Sequence, residues 1–243
     1  MRFYWFKEIP STQTFLVDLL KQEATLPSLV VARNQTGGIG SRGNKWQSPK
    51  LGLYLSLALH ESCLPRDLPL QSSALYFGWL FLERLRAQYP NLWLKWPNDY
   101  YKGDKKVGGL LTQSMRKAVI LGLGLNIFDD KLACLCDQYD LQRLASLLSV
   151  VMDFLSFSGI EFSRILELDS YTQDLVATSR GSVFTFPSWQ SVFHKYQQEF
   201  HKNRGFSTHV MEGTSRGYIR LEDCRLREDG ALTLGDEVFY SRR

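Results

Sequence analysis

The period of the hydrophobic positions changes several times along the chain, and each change marks an element. Over residues 3–9 aromatic and polar residues alternate, the pattern of a strand with one buried face. Pro10-Ser11-Thr12-Gln13 ends it, and Phe15, Leu16, Leu19 and Leu20 then recur at three- and four-residue spacing, which predicts a helix capped by Ser11 or Thr12. Residues 29–32 are a short apolar strand. Leu53, Leu55, Leu57 and Leu59 alternate with Tyr54, Ser56 and Ala58, an amphipathic strand with its leucines toward the core. Over residues 72–88, Leu75, Trp79, Leu82 and Leu85 share one helical face. A strand over 118–127 has glycines at alternate positions 122 and 124, where a ligand or neighbouring chain can approach. Three helices are predicted next, over 141–156, 162–178 and 188–200, with a break at 181–187. Beyond Gly205 short alternating segments are punctuated by Gly213, Gly217, Asp229-Gly230 and Gly235-Asp236, which reads as a small β module. A module of that size has little core of its own and is expected to pack on the larger part. The expected division is therefore 1–205 and 206–243.

A length of 243 residues allows one large domain, or one large and one small. Hydrophobic residues at 44% and charged residues at 22% are ordinary for a globular chain. The net charge of +4 permits an anionic ligand without demanding one. No apolar run is long enough to cross a bilayer, and the N-terminus lacks the layout of a signal peptide, so a cytoplasmic location is expected. Cys63, Cys134, Cys136 and Cys224 are scattered and read as small apolar residues in a reducing compartment. His194 and His201 have no accompanying ligand pattern and read as surface or packing residues, and no protein metal site is expected.

The densest chemistry lies in residues 95–111, Lys-Trp-Pro-Asn-Asp-Tyr-Tyr-Lys-Gly-Asp-Lys-Lys-Val-Gly-Gly-Leu-Leu. Pro97 cannot donate to a sheet ladder, so a strand running from Leu92 should end at Trp96. Gly103-Asp104 is a turn pair, and residues 106–111 read as the returning strand of a hairpin. Its mouth carries Asn98, Asp99 and a buried-end Lys106, while Gly108 and Gly109 leave room for a ligand against the main chain. A second stretch, 33–46, holds four glycines within seven residues, bracketed by Arg33, Arg42 and Lys45. Such a run either wraps its amides round an anion as a lid or is a plain surface loop. Trp46 beside the cations tips the balance toward a ligand, since an aromatic face there suits adenine. The run fits neither a P-loop nor a dinucleotide fingerprint.

In order along the chain stand Ser-Thr-Gln at 11–13, the glycine loop ending in Lys45-Trp46, and Leu-Tyr-Leu-Ser at 53–56. Lys-Trp-Pro-Asn-Asp at 95–99, Lys-Val-Gly-Gly at 106–109, Gly-Leu-Gly-Leu-Asn at 122–126 and the terminal β module follow. This ordered set resembles the biotin protein ligases over nearly the whole length. The resemblance implies an α+β fold like that of class II aminoacyl-tRNA synthetases, a mixed sheet with flanking helices, joined to a small SH3-like C-terminal β module. It also implies a two-step reaction: biotin and ATP with Mg²⁺ give biotinyl-AMP, and a lysine of a biotin carboxyl carrier domain then takes the biotin. On that footing Ser11, Thr12, Gln13, Gln35 and Lys106 contact biotin, and Gly38, Ile39, Gly40, Ser41 and Arg42 close over the adenylate. Trp46, Asn98 and Asn126 serve the nucleotide, Gly109 makes room, and Lys106, Asp99 and Arg42 carry the chemistry, Asp99 as base or orienting group. The family's loop usually reads Gly-Arg-Gly-Arg-Arg-Gly, whereas Ile39 and Ser41 replace two of its arginines, which implies weaker retention of the adenylate unless Arg33, Arg42 or Lys45 compensates. Because the first strand begins at Phe3, no DNA-binding segment and no transcriptional role are expected, and the protein is expected as monomer or homodimer. Lipoate ligase is the alternative enzyme, and a nucleotide- or RNA-binding module the alternative outside enzymes.

Overall fold

A computed structural model describes residues 2–22, 24–40, 44–154, 162–174, 186–212 and 215–240. Eight strands form one sheet: β1 (Arg2–Ile9), β2 (Ser28–Gln35), β3 (Leu51–His60), β4 (Leu92–Lys95), β5 (Asp99–Lys102), β6 (Lys105–Met115), β7 (Ala118–Phe128) and β8 (Ser170–Asp174). Their order is β4-β5-β6-β7-β3-β2-β1-β8. Only β1 and β2 run parallel, joined across one face by helix α1 (Thr12–Lys21). The other face is covered by α2 (Ser73–Leu85) and α3 (Leu141–Phe154), with α5 (Trp189–Glu199) packed on α2 and the short α4 (Phe162–Ile165) against α3.

The two-residue period of the strands sorts side chains between these faces. In β3 and β7 the odd positions, from Leu51 to Leu59 and from Val119 to Ile127, join the main core under α2 and α3. The even positions face α1: Ala58, Ala118 and Ile120 pack beneath it, whereas Tyr54, Ser56, Gly122 and Gly124 lie further along the strands. The sequence reading made β3 amphipathic, but nine of its ten residues are buried because both faces are covered. Likewise α2 is buried nearly all round, since α3 and α5 close over the side turned away from the sheet.

Two further differences concern elements. The expected helix over 162–178 is a single helical turn followed by strand β8, which pairs antiparallel with β1; residues 175–185 lie outside the described residues. Pairing along β1, with the half-buried Tyr171 ring 6.4 Å from that of Phe3, outweighed a weak helical period. The expected hairpin over 95–111 is a three-stranded meander. β4 ends at Lys95, the Trp96-Pro97-Asn98 turn follows with a cis Trp96–Pro97 bond, and β5 begins at once with Asp99. A two-residue turn with Gly103 at φ +62° leads into β6.

At the C-terminal end, β9 (Ser207–Glu212) and β10 (Ser215–Arg220) make a ribbon, and β11 (Arg225–Leu226), β12 (Leu232–Leu234) and β13 (Glu237–Phe239) a small sheet. Val210, Ile219, Leu232 and Phe239 belong to the same apolar cluster as the large sheet, so this module shares the main core. It also meets the turn after β4 directly, through the Gly230 carbonyl, which accepts from the Trp96 indole Nε1 at 3.0 Å; the Trp96 amide donates to Oδ1 of Asn203, just ahead of the module, at 2.8 Å. Among the described residues no helix is long and apolar enough to cross a membrane.

Candidate active site

On the α1 face, a cavity of about 250 Å³ sits over β3, β6 and β7. Its floor is made where glycines thin the sheet. Ser56 pairs with Gly122 and Tyr54 with Gly124 across β3 and β7, and Gly109 of β6 lies opposite Gly124. A Cβ on Gly122 would stand 2.6 Å from Gln13 Oε1, so only glycine lets that amide lie on the sheet. Ser11 is the N-cap of α1, its Oγ accepting from the Thr14 amide at 3.3 Å. Thr12 therefore turns inward at the helix N-terminus. Its amide and Oγ1 donate to Gln35 Oε1 at 2.7 and 3.1 Å, and Ser56 Oγ lies 2.9 Å from Thr12 Oγ1 and 3.1 Å from Gln13 Oε1. All five side chains are buried, and the floor is a neutral hydrogen-bonded mesh.

The mouth is charged. Asp99 faces Gly109 across β5 and β6, and strict alternation would bring Val107 to the same face. A bulge between Tyr100 and Tyr101 shifts the register, so Val107 turns into the core and Lys106 comes round to the Asp99 side. Lys106 Nζ lies 2.7 Å from Asp99 Oδ1, and Lys95 Nζ, from β4, lies 4.0 Å from Asp99 Oδ2. The Asn98 side-chain amide donates to the Leu110 carbonyl while the Leu110 amide donates back to Asn98 O at 2.8 Å, which clamps the turn to β6. Contrary to the sequence expectation, Lys106 is the accessible lysine, with 43% of its side chain exposed, and Lys95 the buried one, at 7%.

Above the mouth, the two arms of the glycine loop form a narrow ribbon. Ile39 bridges Lys45, the Gly40 amide donates to Asn44 O at 2.6 Å, and the Trp46 amide donates to Gly38 O at 2.8 Å. Ser41 and Arg42 lie outside the described residues. The ribbon lays Trp46 across Gly109 and Gly124, with Lys106 Nζ 5.4 Å from its ring centroid. Behind it, Trp46 Nε1, the Tyr54 hydroxyl and Asn126 Oδ1 are buried without a hydrogen-bond partner in the protein. Burial pushes the Tyr54 phenol up to about 12.

The structure thus gathers Ser11, Thr12, Gln13, Gln35, Ile39, Gly40, Trp46, Asn98, Asp99, Lys106 and Gly109 around one cavity, with Gly38 packed on Trp46 beside it. Asn126 does not line that cavity. Its side-chain Nδ2 donates to the Ala133 carbonyl at 3.0 Å and its main-chain carbonyl accepts from the Leu135 amide at 2.9 Å, so it holds the loop after β7. Sequence reasoning passed over Tyr54, Ser56 and Lys95 as site residues, and offered Gly122 only as a point where a ligand or neighbouring chain can approach. Tyr54 and Ser56 were visible as off-phase members of an alternating strand; Lys95 is placed by the β4–β5 turn, which had no sequence signature beyond Pro97.

A closed polar floor, a lysine–carboxylate pair at the mouth and a glycine ribbon above define a class of α+β proteins that enclose a small ligand on one face of a mixed sheet. Residues 5–126 match the model of the Biotin/lipoate A/B protein ligase family, and the chain belongs to that family. It is 36% identical to the biotin acetyl coenzyme A carboxylase synthetase of Helicobacter pylori, solved with biotinylated ATP bound; the match covers 98% of both chains with a TM-score of 0.76. Biotin protein ligase of Aquifex aeolicus, solved with biotin and ATP, shares the fold at 23% identity over 98% of this chain and 94% of that one, with a TM-score of 0.66. Human biotin–protein ligase is 30% identical over 167 residues, which are 62% of this chain and 23% of that protein. The chain thus spans about a quarter of the length of this curated relative.

Proposed function

We propose that the protein joins biotin to ATP as biotinyl-AMP and transfers it to a lysine of a biotin carboxyl carrier domain, in the cytoplasm. The observation that carries this reading is the Lys106–Asp99 pair, 2.7 Å apart, at the mouth of a cavity whose floor is a neutral polar mesh. Biotin's cyclic urea offers one carbonyl acceptor and two N–H donors to the hydroxyls and amides of Thr12, Gln13, Gln35 and Ser56. Its carboxylate then lies toward the mouth. In the first step a carboxylate oxygen bonds to the α-phosphorus of ATP, the bond to the β-phosphate oxygen breaks, and pyrophosphate leaves with the electron pair. Lys106, held by Asp99, neutralises charge growing on the α-phosphoryl oxygens without moving solvent. In the second step the carrier amine bonds to the acyl carbon, AMP leaves, and Asp99 orients the amine or receives its proton.

Trp46 Nε1 and the Tyr54 hydroxyl, on side chains that line the cavity, suit a ligand richer in donors and acceptors than biotin's chain, and a purine meets that need. Among the described residues no group of three or more His, Cys, Asp or Glu is placed to hold a metal; Mg²⁺ would be carried by the phosphates. Lipoate has the same carboxylate, but its dithiolane ring offers the floor neither the N–H donors nor the carbonyl acceptor of a cyclic urea. Release of pyrophosphate from ATP is expected with biotin and not with lipoate or single-stranded RNA; release that ignores biotin would refute the proposal.

A further inference from the structure

Among the described residues β4 is the outermost strand at its end of the large sheet, with a ladder partner on one side only. Trp96, one residue beyond it, is fully buried, and its amide is a donor with no strand to meet. Asn203 Oδ1 meets it instead, at 2.8 Å. Asn203 is itself only 1% exposed and closes the short 3₁₀ turn Phe200–Asn203 that follows α5. Its Nδ2 donates to the Phe200 carbonyl at 3.0 Å and lies 3.5 Å from the Tyr196 hydroxyl, so the oxygen is the end left for Trp96. The same turn is tied to the head of β4. Glu199, just ahead of it, accepts from Arg86 Nη1 and Nη2 at 2.7 and 2.6 Å, and Arg86 Nε donates to the Leu92 carbonyl at 2.8 Å. β4 is thus held at its first residue through Arg86 and just past its last through Asn203.

A buried asparagine opposes folding unless its polar atoms are paired, a demand that an apolar side chain of similar size would not make. What this one holds is the segment that carries the mouth. Lys95 precedes Trp96, and Asp99 follows three residues later. The two are partners across β4 and β5, with Lys95 Nζ 4.0 Å from Asp99 Oδ2 and Lys106 Nζ 2.7 Å from Asp99 Oδ1. Resting on the adenylation reading above, we infer that Asn203 is a positioning residue for the reaction. It does not line the cavity and acts through the Trp96 amide, which fixes Lys95 and Asp99, and through Asp99 the ammonium of Lys106. A charge that must meet another growing on the reactant is sensitive to its place, and a shift of about 1 Å costs on the order of a hundredfold in rate. The floor stands on α1, β2 and β3, whose mesh of Thr12, Gln35 and Ser56 does not run through this contact. Asn203 therefore governs rate and leaves biotin affinity alone.

In the full chain, Asn203→Leu is compared with wild type and with two further variants. Asn203→Asp keeps an oxygen for the Trp96 amide, and Tyr196→Phe takes away a neighbour of Nδ2 while leaving that oxygen in place. The readings are the rate of biotin-dependent pyrophosphate release from ATP, the calorimetric Kd for biotin, and backbone hydrogen exchange over residues 92–99 against residues 51–60. Asn203→Leu is expected to lower kcat about tenfold or more while the biotin Kd moves less than about threefold. Hydrogen exchange over 92–99 should quicken about tenfold or more, with no like rise over 51–60. Asn203→Asp should recover most of the lost kcat, and Tyr196→Phe should keep kcat within about twofold whatever stability it loses. Should Asn203→Leu fail to fold by circular dichroism, Asn203→Ala is read against the same limits. An unchanged kcat in the variant without the oxygen overturns the inference, as does a parallel loss of biotin affinity, an Asp variant no faster than the Leu variant, or an equal loss of kcat in Tyr196→Phe. If wild type releases no pyrophosphate in response to biotin, it is the adenylation reading that fails, and hydrogen exchange then decides by itself whether Asn203 fixes the turn.

Discussion

The floor and the mouth of the cavity are built from opposite materials. The floor is neutral, buried and already hydrogen-bonded within itself through Thr12, Gln35 and Ser56. The mouth holds charges, Lys106 and Asp99 partly exposed and Lys95 buried, on strand ends beside a glycine ribbon. A neutral mesh discriminates between ligands because any mismatch leaves a buried group unpaired. A charge pair near solvent discriminates poorly and is suited to meeting charge that grows during a reaction. On the function proposed, recognition falls to the floor and chemistry to the mouth, and substitutions at the two ends should separate in their kinetics.

The largest effect is expected at the mouth. Lys106→Ala should lower kcat for adenylate formation by about 10²–10³, the cost of losing one preorganised charge donor. Biotin binding, measured by calorimetry, should change far less. A variant with normal kcat and a collapsed affinity would invert the assignment of the two ends. The floor should respond the other way. Gln35→Leu strips an acceptor from the Thr12 amide and hydroxyl, 2.7 and 3.1 Å away, and leaves both unpaired. That predicts a loss of about 1–3 kcal/mol in biotin affinity, roughly ten- to a hundredfold in Kd, with kcat at saturating biotin nearly kept.

The floor was also the more legible end. Ser11, Thr12 and Gln13 announce a helix N-terminus, and the alternation of β3 and β7 already put Tyr54, Ser56, Gly122 and Gly124 on one face. The mouth was legible in composition but not in geometry. Asn98, Asp99 and Lys106 were seen together, yet strand β5 between them was missed, because four residues of Asp-Tyr-Tyr-Lys bear no period and their partners are set by tertiary pairing. The bulge that turns Lys106 toward Asp99 leaves no mark on the sequence Lys-Val-Gly-Gly. Strand β8 was lost for the same reason: its only support is the edge of β1. What the chain states locally could be read; what two distant strands decide between them could not.

That dependence on distant pairing makes the mouth sensitive to its anchor. Trp96→Phe removes the indole N–H that meets the Gly230 carbonyl at 3.0 Å inside the core and leaves a gap of part of a ring. A stability loss of about 1–3 kcal/mol is expected in denaturant unfolding. Because Trp96 sits between Lys95 and Asp99, kcat should fall with it while biotin affinity holds. Equal loss of affinity would show that floor and mouth are one rigid unit, and the contrast between them would be lost.

The smallest effect falls at Tyr54, at the edge of the floor beside Trp46. Its ring packs against Trp46, and its buried hydroxyl is approached by Ser48 and Trp46 without a well-formed hydrogen bond, so removing that oxygen takes little from the fold. Tyr54→Phe should leave stability at neutral pH unchanged or slightly raised, since an unpaired buried hydroxyl opposes folding. If the hydroxyl serves the nucleotide, the KM for ATP rises by a small factor and that for biotin stays put. The alkaline limb gives an independent check. Burial lifts this phenol to about 12, whereas an unfolded chain gives up the proton near 10. Between those values the folded state holds a proton that the unfolded state has lost, so Tyr54 makes stability fall as pH rises from 10 toward 12 and contributes nothing below. Tyr54→Phe should therefore flatten that fall measurably, though not abolish it, because burial also raises Tyr76, Tyr100 and Tyr196. An unchanged slope would mean that the hydroxyl is already open to water, and the case for a ligand group beside Trp46 would go with it.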